Sequence, residues 1–397
     1  MSTDLTTGAS PARVAFYNDP KVRSIIYQVV LCGIIAFLVF GATINAIDHL
    51  RSAHIASGFG FWDNAAGFDI SQTLISYSSQ ASTYGRAFWV GLLNTLLVAG
   101  LGIVFATILG FTIGISRLSK NWLLAKFAAS YVETIRNLPL LLQLLFWYNA
   151  VLKALPDLRN SVVIFGGTYL NNRGLFLPSP VFLYGFSVVV AALVVGVIGS
   201  IAFYTWARKR QERTGQQAPV FWVTLMLIIG LPLVVLALKG FPLSFDYPQA
   251  GRFNISGGLE VLPEFAALLF GLSIYTAAFI AEVVRAGILA VSRGQTEAAY
   301  SLGLKPGPTL RLIVVPQAMR VIVPPLTSQY LNLTKNSTLA VAIGYPDLVQ
   351  VFTGTVLNQT GQAVEVVAIT MLVYLTISLT TSFLMNIYNS RVALVER

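Results

Sequence analysis

Eight stretches of this 397-residue chain stay largely apolar for the roughly 20 residues that a helix needs to cross a bilayer core about 30 Å thick. They run Ile25–Asn45, Phe88–Ser116, Val132–Leu152, Val181–Trp206, Val220–Leu238, Phe265–Ala290, Arg320–Ile343 and Ala363–Ile387. In hydrocarbon a backbone must satisfy its own polar groups, so runs of this length are helices. Charged residues make up only 11% of the chain, against about 25% in a soluble domain. The expected fold class is therefore all-α, a polytopic membrane protein of about eight transmembrane helices.

Orientation follows from the basic residues between the spans. Lys and Arg total 26 against 16 Asp and Glu. With the N-terminus in the cytoplasm, fifteen of the basic residues lie inside and six outside, with five more in or beside spans. The positive-inside rule then puts both termini in the cytoplasm. The basic excess orients the chain in lipid, and no nucleic-acid partner is expected. Lys21 and Arg23 precede the first span, which is too long for a signal-peptide core and lacks an A-x-A site, so it reads as an uncleaved anchor. The run Arg208–Arg213 reads as a topology anchor, being shorter than the clusters that bind particular lipids.

The chain divides into a cytoplasmic tail (1–24), a first span with its periplasmic segment (25–87), a transmembrane domain (88–387) and a short tail (388–397). A cytoplasmic loop covers about 291–316. The outer segment Asp48–Ala87 carries Phe59, Phe61, Trp62 and Phe68, as a segment resting in the interface would. Pro156–Pro180 and Lys239–Pro263 read as outer loops.

Catalytic chemistry finds no foothold. The single cysteine, Cys32, excludes an intrachain disulfide. His49 and His54 lack the further ligands that a zinc site needs, so no metal is expected. There is no G-x-x-x-x-G-K-[ST], H-E-x-x-H, G-x-S-x-G or C-x-x-C. If ATP powers this chain, the ATPase is a separate polypeptide, and no cofactor is expected here.

The most informative stretch lies between spans six and seven. Ser292 with Gln295 fits a capping box, Gly303 suits a left-handed C-terminal position, and Pro306 prevents continuation. That predicts a short helix over Arg293–Leu302, with Thr296, Ala299, Tyr300 and Gly303 on one face. Spacing alone fits equally a connector or a helix that docks into a groove on another protein.

Further residues decide between the two. Glu297-Ala298-Ala299, three residues, Gly303, nine residues, Ile313, two residues and Pro316 resemble the EAA motif of ABC-importer permeases, with Val315 where that family usually has Leu. Glu282, Arg285, Gly294, Gln295, Ser301–Leu304, Pro316-Gln317-Ala318, Glu133–Asn137 and Pro139–Gln143 are similar to the polar-amino-acid branch of that family. The resemblance implies a five-helix permease core in spans two, three, six, seven and eight. It makes Glu297, Ala298, Ala299, Gly303, Ile313 and Pro316 the ATPase-coupling set. It implies as partners ABC ATPase subunits holding ATP and magnesium, a second related permease, a periplasmic amino-acid-binding protein and L-amino-acid cargo. It makes span one and the inserted spans at about 181–238 additions to that core, an enlarged form similar to one permease of the general L-amino-acid importers.

For the substrate path the candidates are Asn94, Glu282, Gln329, Asn332, Lys335 and Asn336. Span seven is the most polar, and polar groups at membrane depth face protein or water. Lys335 and Asn336 could meet a carboxylate, or Lys335 could snorkel. Asn94 suits either substrate or a neighbouring helix. Glu282/Arg285 and Glu133/Arg136 are each spaced i, i+3, which favours ion pairs closing on themselves, although Glu282 could face an ammonium group. Gly102, Ala106, Gly110 and Gly114 allow close helix approach, within the chain or against a partner. The same machinery could carry another polar solute such as an opine. A gradient-driven transporter would show paired internal repeats, and span seven has no second copy.

Overall fold

The computed structural model describes residues 20–52, 58–251 and 254–392. His54 and most of the N-terminal tail lie outside them. Helix α1 (Pro20–Ser52) leads to the outer segment, and α2 (Tyr84–Ser116) and α3 (Trp122–Asn137) follow. A short α4 (Leu140–Leu145) continues as a π-helical stretch, Phe146–Leu152. Next come α5 (Phe186–Thr214) and α6 (Val220–Leu225), the latter joined to α7 (Leu231–Leu238) through a π turn. The remainder holds α8 (Pro263–Leu289), α9 (Arg293–Ser301), α10 (Pro306–Thr309), α11 (Val315–Asn336), α12 (Leu357–Thr360) and α13 (Ala363–Val392).

Seven helices among the described residues are long and apolar enough to cross a membrane. The eighth expected span, Val132–Leu152, is not one helix. Pro139 forces the residue before it out of the helical region, and Leu138 is extended at φ −98°, ψ 132°. The chain turns there between α3 and α4. Span seven, by contrast, runs as α-helix through Pro324 and Pro325 to Asn336 before tightening into a 3₁₀ stretch, Ser337–Ile343.

The core lies where α2, α8 and α11 cross, around Val98, Ala106, Leu272, Ile280, Val284, Ile322 and Leu333. The small residues of α2 serve contact within the chain. A Cβ on Gly110 would sit 2.5 Å from Ile280 Cγ2, and one on Gly114 would sit 2.7 Å from the Ala281 carbonyl oxygen. Backbone cannot retreat as a side chain can. Gly114→Val is therefore expected to cost about 1–3 kcal/mol through overpacking, read as a lower Tm in detergent. Gly100→Ala, where nothing lies within 4 Å of the added Cβ, should leave Tm unchanged.

Two parts stand apart from that core. Apolar α1 buries none of its spanning face against the described chain. Helices α5 and α7 pair with each other, Gly196 letting the Leu227 carbonyl come close.

The segments before α5 and α8 are more ordered than their composition suggests. They carry β1 (Val162–Ile164), β2 (Thr168–Asn171), β3 (Gly174–Leu177), β4 (Ser179–Phe182), β5 (Leu243–Asp246), β6 (Gln249–Ala250), β7 (Ile255–Ser256) and β8 (Leu259–Val261). Antiparallel pairing gives one sheet ordered β1-β2-β3-β8 and two ribbons, β4-β5 and β6-β7. The all-α bundle thus carries a small β cap that ties the segment before α5 to the segment before α8.

The aromatic segment before α2 also departs from expectation. Phe61 is buried, and Trp62 packs 5.2 Å from Phe88 and 5.9 Å from Phe352 between ring centroids. These rings fill a protein cluster, where a place in the lipid interface was expected. Phe59 remains exposed.

Candidate functional site

The short helix after α8 forms as its composition predicts, with one difference at its start. Ser292 makes no side-chain cap. Its carbonyl oxygen instead accepts from Gln295 N–H at 3.0 Å, and Gln295 Oε1 accepts from Gln317 Nε2 at 3.3 Å. The capping box fails because Gln295 is drawn to a residue of α11.

The C-terminus is a full Schellman motif. Gly303 has φ +79°, its N–H donates to the Tyr300 carbonyl at 2.9 Å, and Leu304 N–H donates to the Ala299 carbonyl at 3.1 Å. Ala299 is buried against the chain, whereas Glu297, Ala298, Ser301 and Leu302 are exposed. Leu302 is 82% exposed, an apolar side chain presented outside the spans. Ile313 lies in the π turn Leu310–Val314, and Pro316 lies in the first turn of α11. Those two mark the return into the bundle; the outward face belongs to α9.

Above α9, at the same end of the bundle, Glu282 of α8 gathers three arginines. Arg285 Nη2 donates to Glu282 Oε1 at 2.6 Å, Arg117 at the end of α2 pairs with Oε2, and Arg136 of α3 approaches to 4.0 Å. Arg136 also sits 5.1 Å from the Phe279 ring centroid. Arg136 thus turns to Glu282 and forms no ion pair with Glu133 among the described residues. The carboxylate joins the ends of α2, α3 and α8.

At the opposite end, residues 344–348 fold back into the bundle ahead of the π-helical stretch Val349–Val356. Asn94 Nδ2 donates to the carbonyls of Gln72 and Pro346, both at 2.9 Å, and Thr95 Oγ1 accepts from Leu348 N–H at 3.0 Å. Buried Asp347 accepts from Gln350 N–H at 2.8 Å and from the Tyr374 hydroxyl at 3.3 Å. Asn94 therefore lies fully buried in a node that clamps this fold-back. Sequence reasoning passed over Asp347 and Arg117; Pro346 and the left-handed Gly344 beside the first were its available signals.

The other path candidates separate by exposure. Asn332 and Lys335 lie on the exposed face of α11, while Gln329 and Asn336 are half-buried. The site therefore has three parts along the bundle: an external helix for a partner, an ion cluster joining helix ends, and a clamped fold-back at the far side.

A bundle of apolar spans thus holds a short helix outside itself, an arrangement that suits docking to another protein. The comparisons give the family. Residues 213–394 match the family described as binding-protein-dependent transport system inner membrane component. The general L-amino acid transport system permease protein AapQ of Rhizobium johnstonii is 55% identical over 385 residues, covering 97% of this chain and 96% of its own. The glutamate/glutamine/aspartate/asparagine transport system permease protein BztB of Rhodobacter capsulatus is 44% identical over 411 residues, covering 96% of each. A crystal structure of an amino acid ABC transporter with histidines aligns at a TM-score of 0.46 and 22% identity, over 78% of this chain and 95% of that one. The chain belongs to the permease subunits of amino-acid ABC importers, transport components and not enzymes. It works with ATPase and binding-protein partners, as that family does.

Proposed function

We propose that this permease carries L-amino acids of several side-chain classes inward across the bacterial inner membrane, with both termini in the cytoplasm. The observation that carries the reading is the 55% identity to a general L-amino-acid permease over nearly the whole chain, inserted spans and outer loops included. A related permease forms the other half of the pore, and a periplasmic binding protein delivers cargo to the outer loops. ATP and magnesium sit on the separate ATPase. That protein receives Glu297, Ala298, Ser301 and Leu302 in a cleft, with Gly303 fixing the end of the helix. ATP-driven closure of the ATPase pulls α9, and the spans on either side of it reorient. Coupling of this kind is reciprocal in its binding free energies, so a loaded binding protein in turn stimulates hydrolysis.

Uptake of a panel of labelled L-amino acids by cells lacking this gene, with and without a plasmid copy, tests the cargo. Loss of several chemically different amino acids, restored by the copy, is the expected result. A loss confined to acidic amino acids and their amides would favour the narrower cargo named for the 44% identical relative. Unchanged uptake of every amino acid, in a strain without a redundant importer, would sink the cargo assignment.

A further inference from the structure

Between α11 and α13 runs an open groove of about 710 Å³, floored by Leu331, Leu379 and Met385. Its polar lining includes Ser328 of α11 and Ser382, Asn386 and Asn389 of α13. The last three are spaced i, i+4, i+7, one stripe down a single helix face. Ser328 faces them from α11, on the side that continues outward to exposed Asn332 and Lys335.

Lipid cannot satisfy such a stripe. Hydroxyls elsewhere on α13 bond their own helix: Thr376, Thr380 and Thr381 each donate to the carbonyl four residues back at 2.8 Å. Those can face hydrocarbon without an orphaned donor. Ser328, Ser382, Asn386 and Asn389 take no such bond and have no hydrogen-bond partner among the described residues. An unsatisfied polar side chain costs several kcal/mol in hydrocarbon, and polar groups at membrane depth belong against protein or water.

Topology sets where the groove leads. Helix α11 leaves the α9 side and ends at the fold-back, where Gln359, just before α13, accepts from the Tyr84 hydroxyl at the start of α2, so α13 runs back antiparallel to α11. The early part of α11 follows directly from α9 and α10, which places the groove on the α9 side of the membrane. Ser382 lies ten residues before the end of α13, about 15 Å along the helix. The stripe thus passes from well inside the bilayer to its α9 face. Its volume falls within the roughly 300–1,000 Å³ of small-ligand clefts.

We infer that the α11–α13 groove is the water-filled inner half of the amino-acid path, with Ser328, Ser382, Asn386 and Asn389 as its polar lining. The inference rests on the importer reading above. Amino-acid cargo keeps its ammonium and carboxylate hydrated or hydrogen-bonded through this half, and neutral hydroxyls and amides offer both donors and acceptors without holding either charge tightly. Such a lining passes side chains of different charge and suits release.

The sole cysteine, Cys32 on exposed α1, makes the test simple. In a Cys32→Ser background, Ser382→Cys, Asn386→Cys and the control Leu384→Cys are each assembled with the natural partner subunits. Inverted vesicles are then treated with a membrane-impermeant cationic methanethiosulfonate. Thiols in water ionise and react, whereas thiols in hydrocarbon stay protonated, so positions 382 and 386 should label about tenfold faster than 384 or more. Complexes labelled at either position and then reconstituted into sealed proteoliposomes around ATP should also lose amino-acid uptake from loaded binding protein outside. Labelling at 382 and 386 no faster than at 384, with amino-acid uptake by the Cys32→Ser parent intact, overturns the groove alone and makes the face a lipid or helix contact. Failure of the unaltered chain itself to restore amino-acid uptake to a strain lacking it overturns the cargo reading and this inference with it.

Discussion

Replacing Gly303 by valine is expected to cut uptake by about 5- to 150-fold, the range of typical coupling free energies, while the protein still reaches the membrane. The reason is local. Gly303 holds φ +79°, where a Cβ collides with its own backbone at a cost of about 1–2 kcal/mol, and a β-branched side chain is the worst case. No neighbour obstructs, since a Cβ there meets nothing within 4 Å. The strain therefore falls on the Schellman bonds from Gly303 to Tyr300 and from Leu304 to Ala299. With those loosened, the outward Leu302 and Ser301 lose their fixed direction, and α9 transmits motion poorly. Basal ATP hydrolysis by the assembled complex should persist and lose its stimulation by loaded binding protein. Gly303→Asn is the matched control, because asparagine tolerates the left-handed region, and it should retain most uptake. Equal uptake by the valine variant and the wild type would remove Gly303 from the coupling set.

That loop was readable in the sequence because its determinants are local: a glycine where the helix must turn left-handed, a proline three residues on, and one small buried residue, Ala299. The spans were readable for a similar reason, each apolar run being its own signal. Where the reading went astray, a distant partner or a short element decided the matter. Gln295 left its capping role for Gln317, twenty-two positions away. Arg136 left Glu133 for Glu282 on another helix. Strands of two to four residues, such as Gln249–Ala250 and Val162–Ile164, are too short for alternation to register. Span three is the exception, since the Leu138-Pro139 pair is a local stop signal inside an otherwise apolar stretch. Among the path candidates, exposure on α11 could not be read from span seven alone. Its polar residues fall on several faces, and only the packing of α8 and α13 says which ones are covered.

Glu282→Gln is expected to lower the stability of the bundle. Glu282 accepts from Arg285 and Arg117 and stands 4.0 Å from Arg136. An amide of the same shape keeps little of this, because it cannot accept a guanidinium at both ends and carries no charge. Three cations then face one another at the ends of α2, α3 and α8. Hydrogen bonds to charged groups contribute about 1.5–3 kcal/mol each, and the side chains here are 14–41% exposed, so solvent screens part of the repulsion. A net loss of about 2–3 kcal/mol follows, seen in detergent as a Tm lower by several degrees and partly restored by salt. Adding Arg117→Gln removes one of the stranded cations and should cost less than the two single losses summed, the mark of a direct interaction. Transport distinguishes this structural role from contact with cargo. As a helix tie, Glu282→Gln lowers the amount of active permease and its maximal uptake rate, leaving KM for each amino acid where it was. A raised KM for every amino acid at normal Tm would instead place the carboxylate against the cargo's ammonium group.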